Sequence, residues 1–243
     1  MDLGSQQLLY IGLAALIVGF TKTSVGGVGI LAVLLMALAI PGKASPGVLL
    51  PMLIAADIMA VLYYRRDCQW HILLKLLPLT AVGLGIGYII LHLAPDVNFE
   101  KIIGWTILAM LTLDLALSET AKRHMRGRVM TGITGAAAGA ASMVANAAGP
   151  IFGIYLLQMG LKKSEFVGTR SWFFLVINIV KVPLAMNLGL ITFETLTLNL
   201  YYLPIILIGA ILGYKLLSYI NIQLFKTLIR VAVLAAAARL ILF

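Results

Sequence analysis

Gly19-Phe-Thr-Lys-Thr-Ser-Val-Gly-Gly-Val-Gly-Ile30 interrupts an otherwise apolar run from Leu8 to Ile40. The stretch holds three hydroxyl side chains, one lysine and four glycines. Lipid gives interrupted backbone no hydrogen-bond partners, so such a segment is buried in protein or lines a cavity. A run of 33 residues is also too long for one straight crossing, which takes about 20. Two readings follow: a broken spanning helix, or a hairpin of two half-helices that re-enters on one side. The donor-rich, cationic make-up of the break reads as half of an anion-binding site.

The whole chain has the same character. Its 243 residues are 62% hydrophobic and 11% charged, and the mean hydropathy is +1.05. So few charges could not cover a soluble domain of this size, and runs as long as a bilayer is thick make it a polytopic helical membrane protein. The alternating pattern of a membrane β-barrel is absent. The net charge of +9 is not a nucleic-acid signal, because the cations sit in short loops where they orient helices. Cys68 is the only cysteine, which excludes an internal disulfide and a thiolate metal cluster. His71, His92 and His124 are scattered and form no metal pattern, so neither a metal nor a cofactor is expected.

The expected architecture is all-α, with two repeats of inverted topology, each a re-entrant hairpin followed by three transmembrane helices. The first repeat covers 1–117, with a hairpin over 8–40 and helices over 47–64, 72–93 and 102–117. A basic linker, 118–128, carries Lys122, Arg123, Arg126 and Arg128 and reads as cytoplasmic. The second repeat covers 129–243, with a hairpin over 129–159 and helices over 166–188, 196–218 and 224–243. Gly139 to Pro150 falls 120 positions after Gly19 to Ile30, Asn178 falls 121 after Asp57, and Pro204, Gly209 and Gly213 fall 126 after Pro78, Gly83 and Gly87. The shared order, more than any one match, indicates an internal repeat.

Loop charge decides how the repeats are related. With Arg65, Arg66 and the basic linker inside, the Asp96/Glu100 loop lies outside. If 129–159 crossed the membrane, Lys162 and Lys163 would fall outside and Glu194 inside, against the positive-inside rule. A re-entrant hairpin corrects both. Three crossings per half then invert the second repeat, place both termini outside, and give the arrangement in which transporters bind substrate at broken helices. Lys43, at an outer turn, runs against the assignment.

The candidate substrate-binding residues of the first tip are Thr21, Lys22, Thr23, Ser24 and the amides of Gly26, Gly27 and Gly29. A re-entrant tip exposes unpaired N–H groups, and half-helix N-termini carry partial positive charge. The alternative for Lys22 is a tight helix crossing with the lysine snorkelling to the surface, but intramembrane charge is functional by default. The matching tip supplies Ser142, Asn146 and Gly149. Asn178 and Lys181 stand on the sixth span. Asp57, mid-helix and opposite Asn178 in the repeat, reads either as a proton carrier or as the counter-ion of Lys22 or Lys181. Arg170 reads as an interfacial anchor, Tyr63, Tyr64 and Trp70 as an aromatic belt, and Gly83, Gly85 and Gly87 as helix-packing positions.

At these residues the chain resembles the TauE/SafE family of sulfite exporters. The resemblance is carried by Gly19 to Gly29, Lys43-Ala-Ser-Pro-Gly-Val-Leu-Leu-Pro51, Ala56-Asp57, Tyr63-Tyr-Arg-Arg66, Met143-Val-Ala-Asn-Ala-Ala-Gly-Pro150, Phe166-Val-Gly-Thr-Arg-Ser-Trp-Phe-Phe174 and Asn178-Ile-Val-Lys-Val-Pro183. It implies a secondary transporter, not an enzyme, that carries sulfite, a sulfonate or a related sulfur-containing anion across the bacterial inner membrane, coupled to protons. The implied partners are that anion, protons and the lipid bilayer, with a homodimer compatible. Arg170 stands where the family often has a small residue, which bears on the cytoplasmic mouth. Two other readings compete. A proton-linked cation or metal carrier centred on Asp57 sets one carboxylate against two lysines. A membrane enzyme would need a nucleophile and base, and Cys68 with His71 has no third partner.

Overall fold

The computed structural model describes residues 3–24, 29–93, 99–116 and 127–216. All regular structure among them is helical. The elements are α1 (Ser5–Thr23), α2 (Gly29–Ala39), α3 (Ala44–Tyr64), α4 (Trp70–Leu93), α5 (Phe99–Ala116), α6 (Arg128–Ala145), α7 (Gly149–Leu157), α8 (Lys163–Asn187) and α9 (Phe193–Leu216). The helix expected over 224–243 lies outside the described residues, as does 118–126 of the linker. Among the described residues four helices, α3, α4, α8 and α9, are long and apolar enough to cross a membrane. Over their most apolar windows α3 and α8 are each 61% buried, against 33% for α4 and 28% for α9. The first pair is therefore the inner layer, and α4 and α9 show more of their surface outward.

α1 with α2, and α6 with α7, fold back on each other as hairpins. The side chain of Gln7, at the start of α1, donates to the carbonyl of Ala39, at the end of α2, at 2.8 Å. In the second hairpin the hydroxyls of Thr131, in the first turn of α6, and Tyr155, near the end of α7, are 3.3 Å apart. The arms are unequal. α1 and α6 have 19 and 18 residues, α2 and α7 only 11 and 9. At 1.5 Å per residue the longer arms measure about 28 Å, so they are not half-helices. The turn after α6 is built by Asn146 in the left-handed conformation (φ 53°, ψ 25°). Its amide returns to the Ser142 carbonyl and that of Ala147 to Ala141, the arrangement that satisfies the last carbonyls of a helix.

Each hairpin is seated against a helix from the other half of the chain. α1 packs along α9, and α6 along α4. A methyl group on Gly19 would overlap the Ile206 carbonyl and press on the Ala210 amide, and one on Gly139 would do the same to the Thr80 carbonyl and Leu84 amide. The reverse contacts also match: Gly209 faces the Leu16 carbonyl, Gly83 that of Ala136, Gly213 that of Phe20 and Gly87 that of Ala140. All these pairs interchange when 120 is added on the hairpin side and 126 subtracted on the other. Close backbone approach through small residues is how helices associate tightly in lipid. Gly85, by contrast, has open space where a side chain would stand.

Candidate functional site

A polar chain runs through the contact between α3 and α8. Asp57, fully buried on α3, holds the Lys22 ammonium at 2.7 Å through Oδ1. Its other oxygen, Oδ2, accepts the side-chain amide of Asn178 at 2.7 Å. The Asn178 carbonyl oxygen accepts from Lys181 Nζ at 3.2 Å. Lys181 Nζ also donates to Ser142 Oγ at 3.1 Å and to Asn146 Oδ1 at 2.5 Å. Asn146 completes the chain by donating its amide nitrogen to the Pro46 carbonyl, in the first turn of α3, at 3.0 Å. Both hairpins and both inner helices thus meet along one line of hydrogen bonds.

Charge along this line is unequal. Lys22 and Asp57 neutralise each other. Lys181, 2% exposed, spends its three protons on three neutral oxygens, and among the described residues no carboxylate lies within 4.0 Å of it. A buried ammonium is costly unless solvated or paired, and Lys181 has hydrogen-bond partners without a counter-charge among the described residues. Lys22 also lies 4.2 Å from the centroid of the Phe174 ring, a favourable setting for a cation.

The other expected site residues fall as follows. Thr23 donates its hydroxyl to the Ala210 carbonyl at 2.7 Å, and Thr21 donates to its own Val18 carbonyl at 3.2 Å. Both hydroxyls therefore serve packing and helix backbone. Ser24 presents its carbonyl to Arg170. Gly26 and Gly27 lie outside the described residues. Gly29 opens α2 beside the Thr21 hydroxyl, and Gly149 opens α7 with nothing within 4 Å of where its side chain would be.

Two residues take parts that the sequence reading does not give them. Arg170 is 5% exposed, not an interfacial anchor: its Nη2 donates to the carbonyls of Thr21, Lys22 and Ser24. Phe174 flanks Lys22. The signal that finds them is spacing: Arg170, Phe174, Asn178 and Lys181 recur at steps of four, four and three, which is one face of a helix.

A family model described as "Sulfite exporter TauE/SafE" matches residues 11–240. No curated protein and no solved structure matches the chain.

Proposed function

The chain belongs to the TauE/SafE sulfite exporter family, a family of membrane transporters, and on that premise we propose that its cargo is a small sulfur-containing anion, sulfite or a sulfonate. The anion binds between Lys181 and Lys22 and crosses the bacterial inner membrane by alternating access, coupled to protons. The observation that carries the reading is the ammonium of Lys181, buried and surrounded by neutral oxygens. An entering anion supplies the charge that this centre lacks and exchanges neutral hydrogen bonds for charge-assisted ones. Asn146, Ser142 and Asn178 then offer hydroxyl and amide groups to its oxygens. The amides at the starts of α2 and α7 add donors with a favourable helix dipole.

We read the repeat as inverted, which agrees with the same reading. The seams of α1 on α9 and of α6 on α4 are related by a single exchange of the two halves. Transporters with this symmetry bind at broken helices and open to either side by moving one unit against the other. The cation-carrier alternative has less in its favour, because the only carboxylate in the chain of bonds is already held by Lys22.

The test is flux in proteoliposomes with a panel of sulfite, thiosulfate, sulfate, taurine, sulfoacetate and isethionate, with and without a pH gradient. Sulfite or a sulfonate should move, faster with the gradient, and Lys181→Met should abolish movement in a protein that still reconstitutes. Undiminished flux through Lys181→Met would remove the site from consideration.

A further inference from the structure

We propose that Arg170 is a positioning residue for Lys22, acting through the backbone of the first hairpin; this rests on the anion site described above. The last carbonyls of any helix have no amides four residues ahead. At the end of α1 they are also buried, since Thr21, Thr23 and Ser24 are 5%, 0% and 5% exposed, so bulk water does not serve them. One nitrogen does. Arg170 Nη2 stands 2.9 Å from the Thr21 carbonyl, 3.1 Å from that of Lys22 and 2.6 Å from that of Ser24.

This arrangement fixes the backbone that carries Lys22 and puts positive charge at the negative end of the α1 dipole, where it is stabilising. That dipole end would otherwise repel an anion approaching Lys22. Arg170 lies eleven positions before Lys181 on the same face of α8, about 16 Å along the axis. α8 therefore holds the first hairpin by Arg170 and the second by Lys181, with Asn178 on Asp57 between them. A change in the grip at either end is transmitted along one rigid helix to the other.

The geometry has a chemical signature. All three carbonyls meet the same nitrogen, so the guanidinium acts as a point of charge and not as a two-pronged fork. An ammonium with three protons can replace it, where normally lysine is a poor substitute for a forked arginine. Met keeps the bulk and removes every donor.

The experiment uses the full-length chain with Cys68→Ser and Ser24→Cys, in vesicles exposing the cytoplasmic face. Two quantities are read: the labelling rate of position 24 by a membrane-impermeant maleimide, and KM for sulfite. Arg170→Met should raise both by at least about tenfold, the effect of any one of its three buried hydrogen bonds left unmade. Arg170→Lys should keep both within about threefold of the parent, given its three donors. Unchanged labelling in Arg170→Met with an unchanged melting temperature overturns the proposal. Should Arg170→Met not assemble, Arg170→Lys decides alone: slow labelling supports positioning through the carbonyls, and fast labelling at an unchanged melting temperature overturns it. The labelling needs no substrate. If it responds as expected while the unsubstituted chain moves no sulfite, the sulfite site fails and the positioning role stands.

Discussion

Lys22 Nζ stands 2.7 Å from Asp57 Oδ1, and that aspartate is fully buried. The ion pair ties the first hairpin to α3, and the Asn178 amide on the other carboxylate oxygen ties α3 to α8. Pairing two buried charges gains little over a well-packed apolar pair, but leaving one of them alone is expensive. The pair is therefore a constraint on which groups can leave together. In the proposed cycle Lys22 would turn to an anion only when Asp57 is otherwise compensated, which would link cargo to proton.

Removing one partner should hurt more than removing both. Lys22→Met leaves the carboxylate with Asn178 alone and should cost about 3–5 kcal/mol. Lys22→Met with Asp57→Asn should recover most of that loss, giving a large coupling in a double-mutant cycle. Unfolding in mixed micelles measures stability, and flux should be absent from Lys22→Met, from Asp57→Asn alone and from the double variant. Additive losses would mean that the two charges act independently.

Much of this arrangement is legible in sequence. The apolar runs and the glycine-rich break at Gly19 to Ile30 define a helical membrane protein, and the offsets of 120 and 126 pair Gly19 with Gly139 and Gly83 with Gly209. Those offsets recur in the seams because backbone approaches without a Cβ leave glycine as the only residue that fits. What sequence does not carry is the rotation of one helix against its neighbour. Gly83, Gly85 and Gly87 look alike in the chain, yet the middle one points elsewhere, two residues being about 200° around a helix. Asp57 has two lysines within plausible reach, and only the fold chooses Lys22. Arg170 looks like an interfacial anchor until the buried carbonyls at the end of α1 are seen to need a donor. Phe174 is one aromatic in an apolar run and has no signature of its own.

Asn146 combines a backbone task with a side-chain task, and two substitutions separate them. It is the only non-glycine residue with positive φ among the described residues, and its side chain joins Lys181 to the Pro46 carbonyl. Asn146→Ala loses both side-chain bonds and must hold a methyl-bearing residue in the left-handed region, at about 1–2 kcal/mol. Asn146→Gly loses the same bonds without that strain. The glycine variant should therefore melt at the higher temperature of the two, while both show the same rise in KM for the transported anion. A KM restored by glycine would assign Asn146 to the turn and remove it from the site.

The seams make a prediction by symmetry. Gly19→Ala and Gly139→Ala each place a methyl group on a partner carbonyl, and overpacking of this kind costs about 1–3 kcal/mol. Their effects on the melting temperature should be similar, since the two contacts are counterparts. Gly85→Ala meets nothing within 4 Å and should be neutral or stabilising by up to about 1 kcal/mol through helix propensity. A Gly85→Ala loss equal to that of Gly139→Ala would show that the α4–α6 seam is not where the packing is tight.

Cys68 reports on the connection between α3 and α4. That segment is fastened to α8: the Gln69 amide donates to Thr169 Oγ1 at 2.9 Å and its side chain to Glu165 Oε1 at 3.0 Å. Burial pushes the Cys68 thiol up to about 11, against a smaller opposing effect of the Thr169 hydroxyl. The thiolate is the reactive form, and a thiol raised from 9.0 to about 11 has roughly a hundredth of the ordinary thiolate fraction at neutral pH. Maleimide labelling of the folded protein at pH 7.5 should therefore be about 100-fold slower than after denaturation. It should climb about tenfold per pH unit up to the raised value, because the reactive fraction is lost as pH falls. Equal rates for the folded and denatured chain at pH 7.5 would mean that the connection is not seated on α8. The polar contacts of Gln69 would then have to be given up as the element that fixes the start of α4 beside Thr169.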